Sequence, residues 1–205
     1  GGTVKLDGNY PTGSNNVALG NGALDDGSLS GAGNTAIGTN SLTANTSGTF
    51  NVAVGQNSLN ANTTGQQNTA IGRVALQTNI AGICNTAIGH NALTTNICCF
   101  NTAVGNEALR LNTTGQNNVA VGVNALDANT TADNNTAMGS FALSTNTEGF
   151  SNTAVGHCAI FTNTTGDKNT GVGVGALLVS TTADNNTAVG YLSLAANTTG
   201  GLNTA

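Results

Sequence analysis

Apolar residues along this chain come in short pairs set between Gly, Asn and Thr, and the pairs recur at a fixed interval. The Asn that opens each copy stands at Asn16, Asn34, Asn51, Asn68, Asn85, Asn101, Asn118, Asn135, Asn152, Asn169, Asn186 and Asn203. The steps are 18, three of 17, one of 16 and six of 17. Each copy reads Asn-Thr-Ala-Val-Gly-x-x-Ala-Leu-x-x-Asn-Thr-Thr-Gly-x-x, numbered below as positions 1 to 17. Position 5 is Gly in every complete copy, position 9 is Leu except at Ile160, and position 3 is Ala except at Gly171. Position 4 is aliphatic or Met throughout, as at Leu19, Ile37, Val54, Met138 and Val189. Recurrence at fixed columns within one chain is a packing requirement, and a period of this length points to a stacked repeat architecture.

The apolar pairs at positions 3–4 and 8–9 are too short, and too rich in Gly, Asn and Thr, for a helical hairpin. Segments such as Thr35-Ala36-Ile37 are partly β-branched and bounded by turn-forming residues, which predicts short strands. The predicted fold is all-β: a β-solenoid, or parallel β-roll, of about twelve 17-residue turns, with residues 1–205 as a single array. Equivalent positions then stack about 4.8 Å apart. The Asn columns at positions 1 and 12 become amide ladders of the kind that stabilises cross-β stacks. Gly at position 5 marks a corner with positive φ or a close backbone approach. Ala132 and Ala183 replace Gly at position 15, so that corner is less demanding.

Successive side chains on a strand point to opposite faces, so Ala36 and Ile37 cannot both face the coil interior, and the same argument applies to Ser41 and Leu42 and to Ala92 and Leu93. One member of each pair is therefore expected outside, giving a long apolar stripe of the kind that marks an interface. Lateral association follows as an expectation, with a homotrimer as the leading arrangement.

The two ends of the chain complement each other. Placing Asn203-Thr204-Ala205 before residues 1–15 generates a composite eighteen-residue turn. Gly1 and Gly2 follow Ala205, Gly2 lands on the Gly of position 5, Leu6 on the Leu of position 9 and Asn9 on the Asn of position 12. Residues 1–15 are thus expected to complete a turn with 203–205 of the next subunit, or of the next repeat in a longer array. In the first case the contact is heterologous, does not close, and propagates into a filament.

Composition narrows the function classes. Only 6% of residues are charged, 3% are aromatic, and the formal net charge is −5. No basic footprint for nucleic acid is present, and no apolar run approaches the ~20 residues of a membrane-spanning helix, so no membrane insertion is expected. An enzyme needs unlike residues converging at one place, which a periodic array supplies poorly. His90 and His157 both occupy position 6, four turns apart, and His157 is expected to point away from Cys158 on a strand. Gly171-Val-Gly173-Val-Gly175 is the repeat with extra Gly, without the helix a phosphate loop needs. Calcium-binding nonapeptide rolls need denser Asp than nine acids over the whole chain provide. No catalytic residue, cofactor or metal site is assigned.

The four cysteines are Cys84, Cys98, Cys99 and Cys158. Cys84 ends one turn and Cys98-Cys99 lies late in the next, the one shortened to sixteen, so a Cys84–Cys99 disulfide would staple adjacent turns in an oxidising environment. The other reading makes all four small hydrophobes in ladder positions. Position 12 also generates N-glycosylation sequons at Asn45, Asn62, Asn112, Asn129, Asn163 and Asn197, with Asn134 and Asn185 in an alternate frame. An Asn ladder followed by a Thr-rich turn produces the same string without any glycan. A Thr-Thr column as an ice-binding face is interrupted by Ile80-Ala81, Ile97-Cys98 and Thr147-Glu148.

From about Asn16 to Ala205 the copies, such as Asn34-Thr-Ala-Ile-Gly-Thr-Asn-Ser-Leu-Thr-Ala-Asn-Thr-Ser-Gly, resemble the Asn-Thr-Ala-Val-Gly repeat arrays of phage tail-fibre-like and surface proteins, which often precede an endosialidase-type chaperone domain. They are also similar to the Ala-Ile-Gly β-rolls in the heads of trimeric autotransporter adhesins, with a longer period. The resemblance implies an extracellular, virion-surface or cell-surface location and a trimeric fibre or stalk. The 205 residues contain no chaperone domain, coiled-coil stalk or anchor, so a specific receptor does not follow. The leading expectation is a structural extracellular filament whose partner is itself, assembling head to tail. The alternative is a trimeric tail-fibre or adhesin shaft that binds a surface receptor or glycan.

Overall fold

The computed structural model describes residues 14–205. Eleven three-residue strands line up in one parallel sheet in chain order. They are β1 (Val17–Leu19), β2 (Thr35–Ile37), β3 (Val52–Val54), β4 (Thr69–Ile71), β5 (Thr86–Ile88), β6 (Thr102–Val104), β7 (Val119–Val121), β8 (Thr136–Met138), β9 (Thr153–Val155), β10 (Thr170–Val172) and β11 (Thr187–Val189). Every strand pairs with its sequence neighbour in strict column register, for example Ala36 with Ala53 and Ile37 with Val54. The chain is therefore an all-β parallel β-solenoid, and no described residue is helical. Eleven strands in ten successive pairings make about ten turns rather than the expected twelve. The larger count included the composite turn, most of which falls on residues 1–13, outside the described residues. Turns are numbered here from turn 1, beginning at Asn16, to turn 11, beginning at Asn186.

Each strand spans positions 2–4 and ends at the position-5 glycine, whose φ lies between 131° and 143° in every described turn. That backbone disfavours any side chain, and space excludes one as well. A Cβ at Gly38 would lie 2.6 Å from the Gly55 carbonyl oxygen of the next turn. Corner and close approach, the two readings of this glycine, are both correct.

The cross-section is thin and its filling is uniform. Ala at position 3, Ala or Ser at position 8, Leu at position 9 and Asn at positions 1 and 12 are fully buried through nearly the whole array. Alternation holds at positions 3–4, where Ala faces inward and the aliphatic residue faces outward, as in β4 and β5. At positions 8–9 the expectation fails: Ser41 and Leu42 are both buried, and so are Ala92 and Leu93. The reason is the backbone at position 9. Its φ is 51° at Leu42, 50° at Leu93 and 50° even at β-branched Ile160, so the leucine turns inward beside its small neighbour. Such a left-handed residue costs about 1–2 kcal/mol, and full burial of a leucine side chain returns about 1.5–3 kcal/mol.

Candidate assembly surfaces and side-chain ladders

Two asparagine columns hold the coil together, each by its own chemistry. At position 1 the side-chain oxygen of one turn accepts the next turn's backbone N–H throughout, and between Asn16 and Asn85 and again from Asn169 on it also accepts the next Nδ2: Asn34 Oδ1 takes the Asn51 N–H at 2.9 Å and Asn51 Nδ2 at 3.1 Å. At position 12 the bonds run amide to amide, Asn62 Nδ2 donating to Asn45 Oδ1 at 2.9 Å. Both columns also close their own turn on the carbonyl of residue 15. Asn34 Nδ2 and Asn45 Nδ2 reach the Gly48 oxygen at 2.9 and 3.0 Å. An aspartate would lack these donors and would bury a charge.

The position-12 ladder breaks in two places, both visible in the sequence. In the sixteen-residue turn 5, Asn96 Nδ2 bonds only within its turn, to the Cys98 carbonyl at 2.9 Å, and Asn79 Oδ1 is left buried without a donor. In turn 10, Ser180 replaces Asn, and both Asn163 Oδ1 and Ser180 Oγ are buried without a partner.

This geometry sorts the sequons. Asn45, Asn62, Asn112, Asn129 and Asn163 are wholly buried ladder members, so their Nδ2 atoms have no room for a glycan in the folded chain. Asn197 is half-buried and bonded to the Gly200 carbonyl. Asn134 and Asn185 occupy position 17 with positive φ and are exposed. All four cysteines are free, and the Cys84–Cys99 bridge is not formed. The two residues stand in neighbouring columns, 17 and 16, and each sulfur has its own partner. Cys84 Sγ donates to Gln67 Oε1 at 3.3 Å, and Cys99 Sγ accepts the Ile83 N–H at 3.3 Å.

His157 and Cys158 do not point apart as a regular strand would require. Cys158 has φ 54°, which brings its Sγ to 3.6 Å from His157 Nε2. Burial pushes the Cys158 thiol above its ordinary range, so the sulfur is held as the protonated and less reactive form. Burial likewise raises Cys98. His90 lies between Arg73 Nη1 at 3.1 Å and Asn106 Nδ2 at 3.3 Å on the surface. Among the described residues no group of three or more His, Cys, Asp or Glu side chains is arranged to hold a metal. No helix among them is long and apolar enough to cross a membrane.

One recurring acceptor was legible but not recognised. Asp133, Asp167 and Asp184 all fall at position 16, and their Oδ1 atoms accept the backbone N–H groups of Gln116, Phe150 and Asp167 at 2.7, 2.9 and 2.8 Å. Their spacing along the sequence was the available signal. Arg110 pairs with two acids, its Nε 3.0 Å from Asp127 Oδ1 and 3.5 Å from a Glu107 oxygen.

Two surfaces remain as candidates for function. One is the outer face of the sheet, where column 2 is Thr or Val and column 4 is aliphatic or Met over all eleven strands, with no charged side chain. The other is the pair of end edges. At one of them Asn203, Thr204 and Ala205 lie on β11 in the register of a further strand, with Thr187 bridged to Thr204. The residues named from sequence at the opposite end, Gly1, Gly2, Leu6 and Asn9, lie outside the described residues. Comparison with protein-family models, with curated proteins and with solved structures finds no match to this chain.

Proposed function

We propose that the chain is the subunit of an extracellular structural filament, built by stacking copies end to end so that solenoid turns continue from one to the next. The observation that carries this reading is the chemical sameness of the edges and the internal seams. Asn203 extends the position-1 ladder on Asn186 Oδ1 through its N–H, the bond every internal turn makes, and through its Nδ2, both at 3.0 Å, as Asn186 does on Asn169. The ten described turns span about 48 Å of fibre at about 4.8 Å each. Its role is length and spacing rather than chemistry at a single site.

Lateral association belongs to the same proposal. The outward aliphatic column, with Ile71, Ile88, Met138 and Val189 all exposed, is continuous and uncharged, so copies gain by covering it, and three around one axis would do so. A second reading, a surface-displayed shaft that binds a receptor or glycan, is favoured by Phe50 and Phe100. These rings stand exposed, both at position 17, and aromatic faces are good sugar platforms.

Electron microscopy of the purified chain at neutral pH tests both. Continuous fibres much longer than the roughly 48 Å of the ten described turns support the filament, and threefold cross-section symmetry supports lateral trimers. Discrete short rods that retain glycans on an array would replace it with the shaft.

A further inference from the structure

We propose that Cys84 and Cys99 form a redox-operated staple across the seam between turns 4 and 5, closed by a small disulfide oxidant of the oxidised-glutathione kind and reopened by thiols. The staple does not depend on how copies stack.

Three thiols and a defect in the coil coincide at this seam. Positions 15–17 hold Gly82, Ile83 and Cys84 in turn 4 and Cys98, Cys99 and Phe100 in turn 5, and no other described turn places Cys in these columns. From turn 2 to turn 10 the position-13 backbone N–H donates to the position-13 carbonyl of the next turn, as Thr63 does to Ile80 at 2.9 Å and Ile97 to Thr113 at 3.0 Å. Ile80 is the exception, and among the described residues its N–H makes no such bond. The amide link from Asn79 to Asn96 is missing at the same corner. This corner therefore lacks both of the links that tie its equivalents, and the cysteines stand directly after it.

The stacking sets the two sulfurs within reach. The Phe100 N–H donates to the Ile83 carbonyl at 3.1 Å, and the Ile83 N–H donates to Cys99 Sγ at 3.3 Å. Cys99 thus stands against Ile83, and Cys84 stands against Phe100 one column on. One turn across, about 4.8 Å, and one residue along, about 3.8 Å, put the Cα atoms of Cys84 and Cys99 about 6 Å apart, within the span of a disulfide. Strict alternation would send neighbouring columns to opposite faces, but Cys84 has φ 55°. The same left-handed backbone at Cys158 brings its Sγ to 3.6 Å from His157 Nε2, so a positive φ at the second residue sets consecutive side chains together. Cys84 and Cys99 are both partly exposed, open to a small oxidant.

The other thiols compete poorly. Cys98 has its carbonyl taken by Asn85 Nδ2 and Asn96 Nδ2 at 2.7 and 2.9 Å, and burial holds its sulfur protonated. Cys158 lies four turns from Cys99, about 19 Å along the coil. In the reduced chain Cys84 Sγ donates to Gln67 Oε1 and Cys99 Sγ accepts from Ile83. Sulfur makes such bonds weakly, and a turn about each χ1 exchanges them for the S–S bond.

Closure proceeds by two exchanges. One cysteine, as its thiolate, attacks the oxidant and releases one reduced glutathione, and the other then attacks the mixed disulfide and releases a second. The Cys84–Cys99 bond forms, the oxidant's S–S bond breaks, and the two cysteine protons pass to the released thiols. The closed loop holds sixteen residues, 84–99, and spans the corner where the two links are missing.

Equilibrating the purified chain in glutathione buffers of rising oxidised fraction, followed by thiol counting and peptide mapping, tests the staple. Free thiols should fall from four to two, with a crosslinked Cys84–Cys99 peptide. Cys98→Ser should give the same crosslink, whereas Cys84→Ser and Cys99→Ser should give none. All three variants should keep the β-sheet spectrum of the reduced parent. Hydrogen exchange in turns 4 and 5 of the oxidised chain should slow about a hundredfold, and dithiothreitol should restore the faster rate. Capture of glutathione as a mixed disulfide only, pairing of Cys98 with Cys99, or links between copies would overturn the assignment. A Cys84–Cys99 bond that left exchange in turns 4 and 5 unchanged would overturn its role in holding the seam.

Discussion

Two residues that break the repeat explain each other. Gly171 is the only glycine at position 3 and Ile160 the only isoleucine at position 9, and they meet in adjacent turns: a Cβ at Gly171 would lie 2.7 Å from Ile160 Cγ1. The β-branch occupies the volume that Ala fills elsewhere. Gly171→Ala alone should therefore cost about 1–3 kcal/mol by overpacking. Combined with Ile160→Leu the cost should largely vanish, and a double-mutant cycle in denaturant measures the coupling. Equal costs in both backgrounds would show that the two substitutions are independent. Ser180 is the opposite case, a hole in a ladder. Ser180→Asn gives Asn163 Oδ1 its donor and reaches the Ala183 carbonyl as Asn163 reaches Gly166. The expected gain is about 1–3 kcal/mol, the cost of the buried groups now left unpaired, and the thermal midpoint reports it.

At the scale of one turn, the length of the loop between positions 12 and 15 decides whether the amide ladder passes through. Turn 5 has only Ile97 between Asn96 and Cys98, where other turns have two residues, and there the Asn79-to-Asn96 link is missing. Inserting one Thr after Ile97 should restore the seventeen-residue path and raise stability by about 1 kcal/mol. Hydrogen exchange should show the same change locally, as slower exchange in turns 4 and 5. Unaltered protection there would mean that the loop, rather than the ladder, sets local stability. The strands were readable in the sequence because Thr-Ala-Ile and Thr-Ala-Val bounded by Gly carry the β signal, and the pleat required one member of the Ala–Val pair to face out, while which one came only from the fold. The second apolar pair was not readable that way. Nothing in the identity of Leu announces a left-handed backbone, so alternation was assumed at Ala92-Leu93 and His157-Cys158, where φ is positive at the second residue of each pair. The asparagine ladders were legible from their period, but their burial, which removes five sequons from the surface, required the fold.

For the whole molecule, neutral groups carry the cohesion, and this sets its response to solvent. Nearest-neighbour repeats sum similar seams, and here each seam is made of amide bonds and buried Ala and Leu. Raising salt from about 0.1 M to about 1 M should move the melting midpoint little, since few charges are available to screen. The acids also oppose one another. Hydrogen bonds from the Ser28 hydroxyl and N–H hold the Asp26 carboxyl below its ordinary range, so its contribution is present above the unfolded value and lost as pH falls through the folded one. Burial pushes Asp127 up in spite of Arg110, so its contribution is present at low pH and lost as pH rises through its folded value. A midpoint nearly flat from about pH 5 to about pH 8 is expected. A steep acid transition beginning above pH 5 would show a titrating cluster elsewhere in the chain.

The ladder bonds all run along the solenoid axis, and that direction governs how the molecule bears a pull. Tension applied at the ends loads the seams in series, so the weakest yields alone, and turns 5 and 10 carry the broken ladders. A turn that lets go releases seventeen residues, which extend to about 58 Å from the roughly 4.8 Å they occupied when coiled. A coil pulled in this way lengthens more than tenfold at each yielded turn, and so dissipates work as a tether does rather than snapping as a rod would.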